Sequence, residues 1–210
     1  MSPAGLRERK KQKTREAIQN EAMRLFLAQG YEETTIEQIA DAADISPSTF
    51  FNYFPTKEDV VLFDRYDPML LSMLAHRPAD EPVSASLRFA LQGLDIALEQ
   101  DRDMIFARAK LAMETPDLRA RFWEELEKAR ELIAGVVAAR TGRSPHDYEV
   151  RVLSMVVVTA AFEANLEWLR NDGRGSLMKL VDRAMNVTGA WEHLDALGPG
   201  PSGRGSSPAG

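Results

Sequence analysis

The stretch that most constrains this chain is residues 34–57, TTIEQIADAADISPSTFFNYFPTK. It reads as two short helices joined by a tight turn, with a third beginning behind them. Thr34 with Glu37, or Thr35 with Gln38, has the spacing of a capping box. Ile36, Ile39, Ala40 and Ala43 recur at helical spacing and mark a buried face. Asp44 and Ile45 form the turn. Ser46 then caps a second helix with Pro47 at its first position, where a missing N–H costs nothing. Phe50 and Phe54, four apart, face the core and leave Ser48, Thr49, Asn52 and Tyr53 on the outer side. Thr56 caps the third helix, with Lys57 just inside it.

A short helix opening on small polar side chains, braced by a second helix, can enter a DNA major groove. Ser48 and Thr49 are short enough to approach base edges or phosphates. Tyr53 and Lys57 can reach phosphate oxygens. Each residue taken alone is better explained by a buried helical hairpin with capped ends. Their shared spacing, beside a basic N-terminus, favours DNA.

Residues 14–63 resemble the DNA-binding domain of the TetR family of bacterial transcriptional regulators. The resemblance rests on the run from Thr14 to Gly30-Tyr31, on TTIEQIA, and on STFFNYFPTKEDVV. It implies a homodimer that binds a double-stranded, pseudo-palindromic operator, usually as a repressor, and responds to a small effector. It also implies DNA contacts from Thr35 at a helix start, from Ser46, Pro47, Ser48, Thr49 and Asn52 in the recognition helix, and from Tyr53 and Lys57 to phosphates. At Phe51 many family members carry Tyr, so a hydroxyl contact to phosphate is missing there.

The net charge of −6 looks wrong for a DNA binder until it is located. Residues 1–15 hold six Arg or Lys against Glu8, a net of +5, so the remaining chain carries −11. Arg15 closes this basic arm, which can order on phosphates or in a minor groove. Residues 1–10 are expected to be a disordered arm, 11–66 the DNA-binding domain, 67–197 the effector-binding and dimerisation domain, and 198–210 a disordered Gly-Pro-Ser tail. With no cysteine, disulfides and thiolate zinc sites are excluded. The charged N-terminus is no signal peptide, and the apolar run Val152–Phe162 is too short to span a bilayer. A cytoplasmic protein without a membrane partner is expected.

The pattern predicts an all-α chain of nine to ten helices. The first runs from about Lys11 to Gln29, with Ile18, Ala22, Leu25 and Phe26 on one face and Gly30 as its cap. The fourth, Thr56 to about Ala75, must kink or end at Asp67-Pro68 and is the only direct covalent route out of the DNA domain. Residues 76–82 form a loop. The fifth to ninth helices cover about 83–99, 102–114, 116–140, 145–171 and 176–195. No motif for catalysis, a cofactor or a metal is present: His76, His146 and His193 share no ligand spacing, and there is no phosphate-cradling glycine loop. An enzyme is not expected.

The larger domain is rich in deformable side chains. A packed core explains each singly, but Met and aromatic interiors also suit apolar ligands. Candidate effector residues are Leu91, Phe106, Met113, Phe122, Trp123, Met155 and Phe162. The segment TFFNYFPTKED further resembles a subgroup of actinobacterial regulators that includes the mycofactocin regulator, which implies an acyl-CoA effector. Its phosphates would need cations, for which Arg102, Arg108, Lys110 and Arg119 are candidates, each with a salt bridge as the simpler explanation. Small residues Ala160, Ala164 and Ala184, with Trp191 and Leu194, are the expected dimer interface of the last two long helices. The alternative is that these faces are used up within one chain. A helical ligand-binding or scaffold protein without specific DNA binding remains the second functional reading.

Overall fold

The computed structural model describes residues 3–197; the Gly-Pro-Ser tail expected at 198–210 lies outside them. Among the described residues the chain forms twelve helices and no strand. They are α1 Pro3–Gln29, α2 Ile36–Ala42, α3 Pro47–Tyr53, α4 Lys57–Leu62, α5 Asp67–Ala75, α6 Val83–Gln100, α7 Arg102–Glu114, α8 Pro116–Ala120, α9 Phe122–Thr141, α10 Tyr148–Arg170, α11 Leu177–Val187 and α12 Ala190–Asp195. Three expected helices are each divided in two. The fourth breaks where Phe63 turns to an extended ψ of 118°. The seventh breaks at Arg121, where ψ is −2°. The ninth breaks at Gly189, whose φ of 63° is left-handed.

The expected disordered arm is a correction from Pro3 onward, because α1 begins there instead of near Lys11. No apolar stripe marks residues 3–10, so periodicity missed them. Leu6, Arg7, Glu8, Arg9 and Lys10 are strong helix formers, and propensity extends the helix to them.

The helices form two compact units that are not consecutive in the chain. One comprises Met1–Arg65 and Asp103–Arg121, the other Tyr66–Arg102 and Phe122–Gly210. The chain therefore crosses between them three times, after Arg65, Arg102 and Arg121. A single covalent route through the fourth helix does not describe this protein. Nor does Pro68 divide one long helix: it sits in the first turn of α5, after residues 63–66 have already left the helix.

The first unit is built around Ile18, Ala22, Met23 and Phe26 of α1, Ile39 and Ala40 of α2, Phe50 and Phe54, Val60 and Val61, with Leu118 from α8. Phe54 sits between Phe50 and Phe63, its ring centroid 6.1 and 5.5 Å from theirs. The second unit has an aliphatic core, in which α10 lies against both α9 and α11. By length and composition α10 could cross a membrane. Here Val150, Val157, Val158, Ala160 and Ala164 of that helix are buried among other helices. Gly93 of α6 lets α5 approach: a Cβ there would come within 2.4 Å of the Met73 methyl.

Candidate functional site

The helix-turn-helix is held by its caps. Of the two boxes expected before α2, Thr35 with Gln38 forms: Gln38 N–H donates to Thr35 Oγ1 at 3.2 Å, and Thr35 N–H to Gln38 Oε1 at 2.9 Å. Thr34 is buried instead and donates its hydroxyl to the Gly30 carbonyl at 2.7 Å. After α2, Asp44 takes a left-handed φ of 55°. The Ile45 amide then donates back to the Ala40 carbonyl, and Asp44 N–H to Asp41. This is a Schellman closure, with Asp in the place glycine usually fills.

Ser46 caps α3 by accepting from the Thr49 amide at 3.1 Å. Its Oγ also lies 2.9 Å from the Ser48 hydroxyl and 2.8 Å from that of Thr49. Three hydroxyls thus cluster at the start of this helix. Ser46, Pro47, Ser48, Phe51 and Asn52 are exposed, whereas Thr49 and Tyr53 are half-buried. Phe50 and Phe54 face inward. The exposed residues of α3 are thus Pro47, Ser48 and Asn52, together with the apolar Phe51.

Lys57 is placed differently from a free phosphate hook. Its ammonium donates to the Tyr31 carbonyl at 2.8 Å and the Thr34 carbonyl at 3.3 Å, and lies 4.1 Å from the centre of the Tyr31 ring. It therefore ties down the loop that precedes α2. Beside it, the Tyr31 hydroxyl donates to Glu58 at 2.8 Å. Burial and this carboxylate together push the phenol well above its ordinary range. Burial works against the charge on Glu58. Hydrogen bonds from its own amide, Tyr31 and Thr56 outweigh that and hold it below the usual carboxylate value. Arg15 is half-buried, with its guanidinium 5.6 Å from the centre of the Phe63 ring and its Nε buried without a hydrogen-bond partner.

Both ends of α4 are gripped by residues distant in sequence. At its start, Asp59 Oδ2 accepts from the Thr56 amide and hydroxyl at 2.9 and 2.8 Å. Arg121 donates to Thr56 Oγ1 at 3.0 Å and to Asp59 Oδ1 at 2.7 Å. At its end, the buried Gln19 amide donates to the carbonyls of Val60 and Phe63, both at 2.9 Å. Arg108 also donates to the Phe63 carbonyl. Sequence reasoning missed Gln19, Arg108 and Arg121 in these roles. Gln19 left a signal, since it falls on the buried stripe of α1 between Ile18 and Ala22, where an amide needs a specific partner.

The candidate effector residues are distributed over both units. Phe106 and Met113 belong to the first unit, and Leu91, Phe122, Trp123, Met155 and Phe162 to the second. Phe122 and Phe162 meet, with ring centroids 4.3 Å apart. Trp123 is 66% exposed. Leu91 lines a different cleft between α6 and α11, of about 210 Å³, with Arg88, Gln92, Asp95, Met178, Lys179 and Asp182. Of the candidate phosphate cations, Arg102 bonds Glu99 and the Gly173 carbonyl, Arg108 is used as above, and Lys110 lies 3.9 Å from Glu114. Arg119 is exposed.

The expected dimer residues need correction. Ala160, Ala164, Trp191 and Leu194 are buried in the core of the single chain, Leu194 completely. Ala184 is half-buried against the same core. Apolar area already removed from water within one chain cannot be removed again by a partner. Large apolar residues left open on these helices are Tyr148 and Val152 of α10 and Val187 of α11, the last 81% exposed.

Comparison with known proteins places this geometry. Residues 18–62 match the family "Bacterial regulatory proteins, tetR family", and residues 81–190 match the MftR C-terminal domain. The chain is 36% identical over 184 residues to the HTH-type transcriptional regulator TcmR of Streptomyces glaucescens, covering 80% of this chain and 79% of that one. It is 27% identical over 184 residues to the putative mycofactocin biosynthesis transcriptional regulator MftR of Mycobacterium tuberculosis, covering 87% and 92%. Its fold is similar to that of Thermus thermophilus FadR, a TetR-family repressor solved with lauroyl-CoA, with a TM-score of 0.55, 23% identity and coverage of 93% and 100%. These two family matches, with the 36% identity to TcmR, make this chain a member of the TetR family of bacterial transcriptional regulators.

Proposed function

We propose that the protein is a repressor that binds a pseudo-palindromic operator as a homodimer and is released by a largely apolar, lipid-like effector such as an acyl-CoA. The observation that carries the DNA reading is the exposed row of Ser48 and Asn52 beside the hydroxyl cluster of Ser46, Ser48 and Thr49, on a helix whose neighbours are pinned at both ends. Ser48, Thr49 and Asn52 read base edges, while Thr35 and Tyr53 position the unit on phosphates and Lys57 holds the loop before α2 in place. Arg15 and the basic residues before it on α1 add sequence-independent attraction. The MftR-type C-terminal domain supports an acyl-CoA, as does the lauroyl-CoA held by the Thermus thermophilus relative of similar fold. The open apolar residues Tyr148, Val152 and Val187 support pairing through α10 and α11.

The test is to select duplexes from a random pool with the full chain, then titrate the winner by fluorescence anisotropy with and without lauroyl-CoA. The expected winner is a pseudo-palindrome with half-sites about 34–36 Å apart, bound by a dimer. Lauroyl-CoA should weaken binding at least about fivefold. Enrichment of no sequence would favour the scaffold reading instead, and an unchanged affinity would remove the acyl-CoA.

A further inference from the structure

At two of the three chain crossings, the residues on either side are anchored by side chains, each within its own unit. Arg65 donates to Asn20 of α1 at 3.2 Å, while the next residue, Tyr66, donates its hydroxyl to Asp101 in the second unit at 2.7 Å. Arg121 holds Thr56 and Asp59, while the next residue, Phe122, packs its ring at a tilt against Phe162 of α10. The second of these anchors reaches the element that directly follows the recognition helix. Phe54 and Pro55 alone separate α3 from the Thr56 cap.

The hydrogen bonding at this cap is divided between the two carboxylate oxygens of Asp59. Oδ2 closes the capping box with Thr56, and Oδ1 takes the Arg121 guanidinium. Thr56 Oγ1 accepts from Asp59 N–H at 3.3 Å and from Arg121 at 3.0 Å. Arg121 thus completes the cap instead of decorating it. The Arg121 and Asp59 side chains keep only 26% and 20% of their exposure, so solvent screens the pair less than a surface ion pair. Because Gln19 and Arg108 hold the other end of α4, that helix should move as a body with whatever holds its start.

We propose that Arg121 is a positioning residue for DNA recognition: it ties the cap of α4, and so the base of α3, to Phe122, so that repacking around Phe162 reaches the recognition helix across a single peptide bond. This deepens the reading of the second unit as the controller of DNA binding.

The deciding measurement is hydrogen exchange of the full chain, which requires neither DNA nor effector. Phe162→Ala removes the aromatic partner of Phe122, and Phe162 is not part of the first unit's core. It should speed exchange of the 57–62 amides by about threefold or more when Arg121 is present. In the Arg121→Met background the same change should have almost no effect on those amides, and Arg121→Lys should restore part of it. Should Arg121→Met fail to fold, Asp59→Asn severs the ion pair while keeping an oxygen for the cap. Equal acceleration with and without Arg121, or none in either, would overturn the coupling. If an operator is selected, its affinity should respond to Phe162→Ala in the same Arg121-dependent way. Failure to select one would count against the repressor reading, and the exchange result would still decide the role of Arg121.

Discussion

The two units of this protein solve the same problem by different means. The first must hold helices of six and seven residues, too short to be stable on their own. It does so with polar side chains from distant positions, each gripping backbone or a cap: Gln19 and Arg108 on the end of α4, Lys57 on the loop before α2, Arg121 on the start of α4. The second is built from helices of up to 23 residues that satisfy most of their own backbone groups. Its core can therefore be largely aliphatic, and its polar contacts lie at loops and on the helix surfaces, as where Arg88 of α6 donates to Asp182 of α11. An example is the knot in which Glu81 accepts from Arg77 at 2.8 Å and from Ser86 at 2.6 Å. A surface that reads DNA needs its backbone fixed to a fraction of an ångström, and directional bonds supply that. A domain that accepts a ligand can rely on packing that adapts.

Core deletions give the largest contrast. Phe50→Ala should cost about 3–5 kcal/mol and Leu194→Ala about 2–5 kcal/mol, since both residues are fully buried. In denaturant, Phe50→Ala should melt the first unit ahead of the second and abolish operator binding. Leu194→Ala should lower the midpoint of the second unit without a change in sedimentation beyond that caused by unfolding. A folded monomer with an unshifted midpoint would instead put Leu194 at a subunit interface and break the comparison.

A smaller effect tests whether the polar props matter one by one. Gln19→Met keeps volume but removes the donor to two carbonyls, and should cost about 1–3 kcal/mol in the first unit. Urea unfolding followed on the first unit would check this, and a neutral result would mean that apolar packing suffices there too.

The smallest expected effect is a pH dependence in the second unit. Arg77, then Ser86, hold the Glu81 carboxyl down at about 2. A carboxyl lowered in the folded state stabilises above its unfolded value of 4.5 and loses that contribution as pH falls toward about 2. Thermal scans should therefore show Glu81→Gln lowering stability at neutral pH, with its profile and that of the unsubstituted protein converging as pH falls from 4.5 toward about 2. Glu58 is lowered in the same sense by Tyr31 and Thr56, so Tyr31→Phe should reduce the acid sensitivity of the first unit.

The amino-acid sequence alone determined the helix-turn-helix, because the information there is local. Thr35 with Gln38, Ser46 with Pro47 and Thr56 at the start of α4 are caps whose partners lie three residues away, and Phe50 and Phe54 declare the buried face by spacing. The all-helical character followed from periodicity in the same way. Only the tertiary structure decided which long-range partners complete those caps, and which apolar faces are covered. Nothing near Arg121 names Asp59 as its partner 62 residues away, and nothing near Gln19 names the Val60 carbonyl. Ala160, Ala164, Trp191 and Leu194 have the composition of an interface, yet burial in one chain and burial between two leave the same apolar pattern in sequence. The return of residues 103–121 to the first unit is likewise invisible to local rules. It depends on Leu118 entering that core and on Arg121 reaching the cap of α4, and a stripe of apolar residues says only that a face is buried, never against what.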